Sequence, residues 1–226
     1  PGVGMGYGDP MDFDLEVGHG THVAGTIGAV GNNDLGVTGV NWDVQIMAVN
    51  VLMDDLGAAA GTDAVVIAGL SYVTMMKERY DVNVVVSNHS YGGAAFSSAR
   101  RAAIQDHIDA GILFVAASGN DGTNNDTVPH YPSSYDLAGI IAVGASNYFA
   151  MKSDFSNYGV RSVDIFAPGE EILSTAPIYI SSADLMIFTS ASPSRGLDTS
   201  DRLSGSRWVE LVNQAYGSLF TNYVIH

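Results

Sequence analysis

Three short runs of mainly apolar residues constrain the fold of this chain more than any other feature. They occupy residues 82–87, 112–117 and 140–145; one helical pattern precedes the first run and another separates it from the second. Strands that are apolar on both faces are typical of a parallel sheet covered by helices, because an open sheet face needs alternating polar residues. Residues 44–52 alternate with a period of two and are predicted as a further strand. The chain is therefore predicted to be an α/β protein with a mostly parallel sheet flanked by helices on both faces.

Three segments are predicted as helices from the spacing of their apolar residues and from their end signals. Residues 19–30 have small and apolar side chains at helical spacing and end at Gly31. Thr62 is a predicted N-cap, and Ser97 or Ser98 caps the next helix. The buried face of the helix after Thr62 is predicted to carry Val65, Val66, Gly69, Tyr72, Val73 and Met76.

The composition excludes several classes of protein. The 226 residues include 9 Lys and Arg against 24 Asp and Glu, a net charge of −15, so no nucleic-acid partner is expected, because phosphate binding rests on cations. An apolar share of 46% with 15% charged residues excludes disorder. The longest strictly apolar run, residues 112–117, is too short to cross a membrane. The lack of cysteine excludes disulfides, zinc-thiolate sites and a thiol nucleophile.

Polar, glycine-rich segments follow two of the predicted strands. Residues 88–93 come after the run at 82–87, and residues 118–122 come after the run at 112–117. Ligands in open α/β sheets bind beyond the carboxyl ends of the strands. The sequence therefore predicts a cleft at this end of the sheet.

Residues 18–26, Gly-His-Gly-Thr-His-Val-Ala-Gly-Thr, resemble the histidine motif of the subtilisin-like serine proteases, the subtilases of peptidase family S8. Further segments similar to that family follow in order at residues 88–93, 116–120, 131–145, 155–159 and 167–175. The resemblance implies a three-layer subtilisin-like sandwich, truncated at the N-terminus, and a hydrolase that cleaves peptide bonds in proteins. Residues 1–177 would be an incomplete catalytic domain core, and residues 178–226 a divergent tail without the family's serine motif.

The resemblance assigns catalytic roles to two residues near the predicted cleft. His19 would be the general base, because a serine hydroxyl is a weak nucleophile and imidazole has a pKa near neutrality. Asn120 would donate its amide to the oxyanion that forms in acyl transfer. His22 lies one turn further along the predicted helix and is interpreted as structural rather than as half of a metal-binding pair.

The same resemblance implies a peptide-binding edge. An extended peptide would add to this edge as a strand, with affinity from main-chain hydrogen bonds. The residues of the edge would be Ser90, Tyr91, Gly92, Ala117, Ser118 and Gly119. Asp121 and His130 would lie toward the base of the pocket for the residue before the scissile bond, which suggests tolerance for large or polar side chains.

Residues 30–37 resemble the calcium loop of the family, in which backbone carbonyls and an Asn side chain supply oxygen ligands. Ca²⁺ prefers such donors. The resemblance implies that Asn33 and the carbonyl groups of Val30, Leu35 and Val37 hold a structural Ca²⁺. The loop has one glycine more than the family pattern, and an Asn-rich turn without a metal is the alternative.

Two members of the expected Ser-His-Asp triad lack a clear counterpart. Asp9, Asp12 and Asp14 neither follow a predicted strand nor precede Ser/Thr-Gly. Ser190 is the nearest imitation of the family's Gly-Thr-Ser motif, but the glycine is missing. We therefore expect this polypeptide to hydrolyse peptides poorly or not at all. Because the first residue is Pro1, we expect a processed product or a fragment.

The leading hypothesis is a secreted, calcium-supported serine endopeptidase, a monomer that acts on peptides or proteins and has no nucleic-acid or membrane partner. A non-catalytic pseudoprotease that still binds peptides is the alternative. A nucleotide-binding α/β domain is a third hypothesis. The glycines at positions 2, 4, 6 and 8 do not favour it, because their spacing is not G-x-G-x-x-G.

Overall fold

The computed structural model describes residues 18–54, 59–60 and 62–176. In this part the chain forms, in order, α1 (His19–Gly28), β1 (Met53–Asp54), β2 (Ala59–Ala60), α2 (Asp63–Tyr80), β3 (Val86–His89), α3 (Ser98–Asp109), β4 (Leu113–Ala117), β5 (Ile140–Ser146) and β6 (Ile165–Pro168). Contacts between residues divide the whole chain into two units, Pro1–Ala176 and Pro177–His226, and every described residue belongs to the first. None of the helices described is both long and apolar enough to cross a bilayer.

Four strands form one parallel sheet in the order β3-β4-β5-β6. His89 lies opposite Ala116 in the first pair of strands, and Ala117 lies opposite Val143 in the second. The predicted α/β class and parallel sheet are confirmed. The sequence pattern does not predict β6, a short strand that ends at Pro168, because proline is ordinarily a signal against a strand.

β3 begins four residues later than the apolar run at 82–87 predicts. The Lys77 ammonium of α2 donates to the Val84 carbonyl at 2.6 Å, so the first residues of the run connect the helix to the strand. The run is also less buried than predicted, since Val85 is 60% exposed and Val86 is 48% exposed. Among the described residues β3 pairs only with β4, so its other edge has no hydrogen-bonded neighbour there. The apolar side chains of this strand are therefore less covered than its composition predicts.

The prediction of a strand at residues 44–52 is wrong, although the apolar side chains of this segment do alternate between two directions. One set of its apolar side chains packs against Gly28 of α1, and a set of opposite parity packs against Gly69 of α2. The first set is Val44 and Ile46, and the second is Val49 and Val51. A strand also needs a neighbouring backbone for its hydrogen bonds, and no described segment forms a ladder with this one.

The helix predictions are largely confirmed, because local signals set the helix ends. The hydroxyls of Thr62 and Ser97 each accept a backbone N–H from the first turn of α2 and α3, at 3.4 and 3.2 Å. α1 ends at Gly28, two residues before the predicted end. Tyr72, predicted on the buried face of α2, is 45% exposed.

α2 and α3 pack against each other and form the core together with β4. The buried cluster consists of Val66, Leu70, Ile104, Phe114, Ala116, Tyr135 and Leu137. An ion pair between Arg100 and Asp63 links the two helices. This core fixes the carboxyl ends of β3 and β4, where the candidate site forms.

Candidate active site

The polar segments that follow β3 and β4 lie side by side. Because His89 is opposite Ala116 in the parallel register, residues 90–92 leave the sheet next to residues 117–119. Two backbone hydrogen bonds between Gly93 and Tyr131, at 2.8 and 2.7 Å, fix the end of the first segment. The structure therefore brings the predicted peptide-binding residues together at one end of the sheet.

His19 is the first residue of α1 and reaches the same end of the sheet. Gly18 precedes it with a φ of 60°, a left-handed conformation that glycine adopts without strain. The Nε2 atom of His19 lies 3.0 Å from the carbonyl oxygen of Ser90. The imidazole is exposed, so it remains accessible to a bound peptide.

The segment at residues 172–175 holds α1 in place. The Thr175 hydroxyl donates to the Thr21 carbonyl at 2.8 Å, and the Ser174 hydroxyl donates to the His22 carbonyl at 2.6 Å. The Nε2 atom of His22 lies 3.1 Å from the Ile172 carbonyl oxygen, so its ring belongs to the same packing contact. This position supports the structural interpretation of His22. No group of three or more His, Cys, Asp or Glu side chains arranged for a metal occurs among the residues described.

Asn120 has an exposed side chain in the loop that follows β4, and the Asn157 side chain is hydrogen-bonded to the backbone of this loop. The Asn157 side-chain oxygen accepts the backbone N–H groups of Asp121, at 2.8 Å, and Thr123, at 3.1 Å. Gly119 has a φ of 107°, and a Cβ there would overlap the Asn157 amide nitrogen. The sequence analysis missed this role of Asn157, although the Phe-Ser-Asn-Tyr-Gly segment around it was a signal.

Ser118, predicted on the peptide-binding edge, uses its hydroxyl and its backbone groups within the protein, and its N–H donates to the Val143 carbonyl at 2.9 Å. It is buried together with Asn125 and Asn157, and its hydroxyl donates to the Asn157 carbonyl at 3.3 Å. The Asn125 amide donates to the Ser118 carbonyl at 2.8 Å and accepts from the Asn157 amide at 3.0 Å. These three side chains form a closed polar network that makes the loop before Asn120 rigid.

The imidazole of His130 lies between Gly92 and Gly119. A Cβ at Gly119 would be 2.8 Å from His130 Cδ2, and a Cβ at Gly92 would overlap Cε1. The Nδ1 atom is buried and has no partner among the described residues. Burial lowers the pKa of His130, and the nearby Asp121 carboxylate partly opposes this effect. The neutral imidazole of His130 therefore fills the space between Gly92 and Gly119.

The description "Subtilase family" belongs to a family model that matches residues 5–213 of this chain. The chain belongs to the subtilase family. The match extends beyond residue 177, where the sequence analysis placed the end of the resemblance.

Individual subtilases give the same result. Subtilisin DY of Bacillus licheniformis is 35% identical over 161 residues, which are 71% of this chain and 54% of that protein. An intracellular serine protease of Paenibacillus polymyxa is 36% identical over 172 residues, 75% of this chain and 49% of that protein. The chain thus spans about half the length of these relatives.

A solved structure described as a cold adapted subtilisin-like serine proteinase matches with a TM-score of 0.56 and 34% identity. The match covers 70% of this chain and 50% of that protein. The three-layer subtilase fold predicted from the sequence is therefore shown.

Residues 30–38 form a loop around a cavity of about 260 Å³. Asn32, Asp34 and Gly36 all have positive φ angles, of 56°, 58° and 52°, which turn successive peptide groups of the loop. The Asn33 side-chain oxygen accepts the Leu35 N–H at 3.1 Å, which leaves it one lone pair. The backbone hydrogen bonds found in the described residues leave the carbonyl groups of Val30, Leu35 and Val37 without a backbone donor. These oxygens are of the kind that a hard cation prefers.

Several residues considered in the sequence analysis lie outside the described residues. They are Asp9, Asp12, Asp14 and Ser190, together with the remainder of the tail at 178–226.

Proposed function

We propose that this chain is the core of a serine endopeptidase that hydrolyses peptide bonds in proteins. The observation that carries the proposal is the position of His19, whose Nε2 atom is 3.0 Å from the Ser90 carbonyl at the end of β3. Asn120 follows the neighbouring strand, β4, in a loop fixed by buried amides. A base and an amide donor at adjacent strand ends can act on one peptide carbonyl.

In the proposed reaction His19 takes the proton of the serine nucleophile and returns it to the leaving amine. Asn120 and a backbone N–H stabilise the oxyanion. In subtilisin, loss of the equivalent side-chain donor lowers the rate by about 10²–10³, a magnitude that belongs to that enzyme. A substrate peptide would lie along residues 90–92 as an added strand.

The nucleophile and the triad aspartate are not identified in this chain, so we propose that the polypeptide binds peptides but hydrolyses them poorly or not at all. A labelled fluorophosphonate tests this, since it reacts with activated serines. We expect no stoichiometric labelling, together with measurable binding of a protease-type substrate peptide. Labelling of one serine that is lost in the His19→Ala variant would contradict the proposed inactivity and support an active enzyme. Binding without labelling in a full-length parent would favour the pseudoprotease.

The position of His130 supports a shallow pocket for the residue before the scissile bond. Its ring lies against Gly92 and Gly119, where a deeper pocket would need open space. We propose small side chains at this substrate position, in place of the large or polar ones that the resemblance suggests. Peptides that differ only in Ala or Phe at this position test the idea. The Ala peptide should bind better, and the His130→Gly variant should reverse the order.

We also propose that the loop at residues 30–37 holds a structural Ca²⁺. Asn33 would supply its side-chain oxygen, and Val30, Leu35 and Val37 would supply carbonyl oxygens. The free backbone carbonyls and the left-handed turns of the loop support this assignment. Calcium would stabilise the fold and take no part in the reaction.

We also propose that the protein is secreted, is a monomer and acts on protein substrates. The resemblance to the subtilases supports it, and a net charge of −15 favours solubility. One relative is named as an intracellular protease, so fractionation of the source cells is the decisive test. Recovery of the full-length parent from the cytosol alone would contradict secretion.

A further inference from the structure

Five polar side chains form a continuous hydrogen-bonded chain beneath residues 90–92. In order they are Thr74, His107, Ser87, His89 and Tyr91, and we call them the histidine chain. Thr74 Oγ1 lies 3.0 Å from His107 Nδ1, and Ser87 Oγ lies 3.0 Å from His107 Nε2. Ser87 Oγ also lies 2.8 Å from His89 Nε2, and His89 Nδ1 lies 2.9 Å from the Tyr91 hydroxyl.

The donors and acceptors of the histidine chain fit a single direction. The Thr74 hydroxyl donates to the Leu70 carbonyl at 2.9 Å, so its oxygen accepts from His107 Nδ1–H. Ser87 then donates to the bare His107 Nε2 at 3.0 Å, with a longer contact of 3.4 Å to the Leu113 carbonyl, and accepts from His89 Nε2–H. Tyr91 donates to the bare His89 Nδ1. Every member is satisfied when both histidines are neutral. In the reverse direction the Tyr91 proton would need another acceptor, and the described hydrogen bonds give its oxygen only the His89 contact.

The histidine chain is anchored in the core at one end and reaches the peptide-binding edge at the other. His107 is fully buried in α3, and the ring of His89 stacks on Phe114 of β4 with 3.7 Å between centroids. His89 and Tyr91 are the two neighbours of Ser90, whose carbonyl oxygen contacts His19. A shift of either neighbour therefore moves the residue that touches the proposed base.

We propose that His89 and Tyr91 are positioning residues that hold the peptide-binding edge at residues 90–92, and that acid releases this edge by breaking the histidine chain before the fold is lost. The proposal rests on the proposed function, because it assumes that this edge binds peptides.

The electrostatics of the site favour release by acid. Burial, with a smaller contribution from His107, lowers the pKa of His89 to about 3, and burial also lowers the pKa of His107. The Leu70 backbone opposes the lowering of the His107 pKa, and Lys77 of α2 adds to it. Arg100 of α3 acts on Tyr91 while paired with Asp63 of α2. β4 contributes only the uncharged ring of Phe114. A released imidazole has an ordinary pKa near 6.5, so below that pH protons favour the released state over the closed one.

The first test removes one hydroxyl and compares it with a matched control. Tyr91→Phe breaks the histidine chain at its outer end, whereas Tyr135→Phe removes a buried hydroxyl that bonds the Ser97 backbone elsewhere in the core. At pH 8 we expect changed ¹⁵N shifts at residues 90–92 and at least roughly threefold faster amide exchange at Gly93 in Tyr91→Phe only. Equal changes in both variants, or none at residues 90–93 in Tyr91→Phe, would overturn the proposal.

The second test follows pH. In the native chain we expect the affinity for a substrate peptide to fall roughly tenfold between pH 7 and pH 4 while the circular dichroism of the fold is retained. His89→Gln has no ring to protonate, and its affinity should change less than about twofold over the same range. An equal loss in both proteins overturns the proposal. If the native chain binds no peptide even at pH 8, the proposed function fails, and the shifts at residues 90–92 on acidification still decide the histidine chain.

Discussion

The side-chain amide of Asn157 occupies the space beside the α-carbon of Gly119, so that no Cβ fits between them. The same amide accepts the N–H groups of Asp121 and Thr123 on the far side of Asn120. One buried side chain thus fixes both flanks of the proposed oxyanion donor. The loop is shaped before substrate arrives, which is the condition under which such a donor is most effective.

Substitution of Gly119 by Ala should destabilise the protein by about 2–4 kcal/mol, because it combines backbone strain with overlap against Asn157. Gly36→Ala is the matched control, since Gly36 also has a positive φ but has open space around its α-carbon. That variant should lose only about 1 kcal/mol. Urea unfolding measures both values. Equal losses would mean that the contact with Asn157 contributes nothing.

Truncation of Asn157 to Ala should cost about 2–4 kcal/mol, because it removes the acceptor of the Asp121 and Thr123 N–H groups from a buried position that water does not readily fill. Asn147 provides the control. Its side chain also accepts two backbone N–H groups, of Phe149 and Met151, but in an exposed turn where water can replace it. Asn147→Ala should cost less than about 1 kcal/mol. A similar loss in the two variants, measured by thermal unfolding, would contradict the buried role of Asn157.

Calcium should raise the free energy of unfolding by roughly 3 kcal/mol at a concentration 100-fold above its dissociation constant. In Asn33→Ala this increase should fall by more than half, because one ligand is lost. Asn41→Ala removes a similar turn contact, to the Asp43 N–H, outside the loop and should keep the full increase. Melting curves with calcium and with a chelator test this. Stabilisation that is unaffected by Asn33→Ala would exclude the loop as the binding site.

Stability should fall as the pH drops from 6.5 toward 3, because the pKa of His89 is about 3 when folded and near 6.5 when unfolded. The contribution of a buried neutral histidine is complete above the unfolded pKa. Below it about 1.4 kcal/mol is lost per pH unit, until acid releases the edge at residues 90–92; from there His89 titrates alike in the folded and unfolded chains, and its part of the slope ends. Urea unfolding between pH 7 and pH 4 measures the slope. In His89→Gln the loss of unfolding free energy per pH unit should be smaller by about 1.4 kcal/mol, the contribution of one proton. Parallel slopes for the two proteins would refute the assignment.

Local features of the fold were readable from the sequence. Thr62 and Ser97 cap their helices through hydrogen bonds within one turn, and a short segment contains all the information for such a bond. The parallel sheet followed from the apolar runs for a similar reason. Residues 44–52 show the limit, because their alternation is real but the backbone that would pair with them is not encoded in the segment itself.

The site was predictable only where a long motif marks it. His19 and Asn120 lie in such motifs. The structure places His19, at the start of α1, against the end of β3, and Asn120 follows the neighbouring strand β4. The supporting contacts were not predictable, because they join distant residues. Asn157 reaches residues 34 and 36 positions away, and His107 reaches Ser87, 20 positions away. The motif around Asn157 marks that residue, but neither neighbourhood indicates which distant groups its side chain or that of His107 will contact.

The contacts that hold α1 carry a consequence for the order of folding. Thr21 and His22 bond side chains at positions 174 and 175, across separations of 152 and 154 residues. Closing so long a loop costs entropy that local contacts do not recover, so such pairings form late. During synthesis the helix that bears His19 emerges before all of these partners, and it is held by the contacts with residues 174 and 175 only after residue 175 has left the ribosome. A nascent chain should therefore assemble its sheet before its proposed base is in place, and a protease of this design would gain its reactivity last.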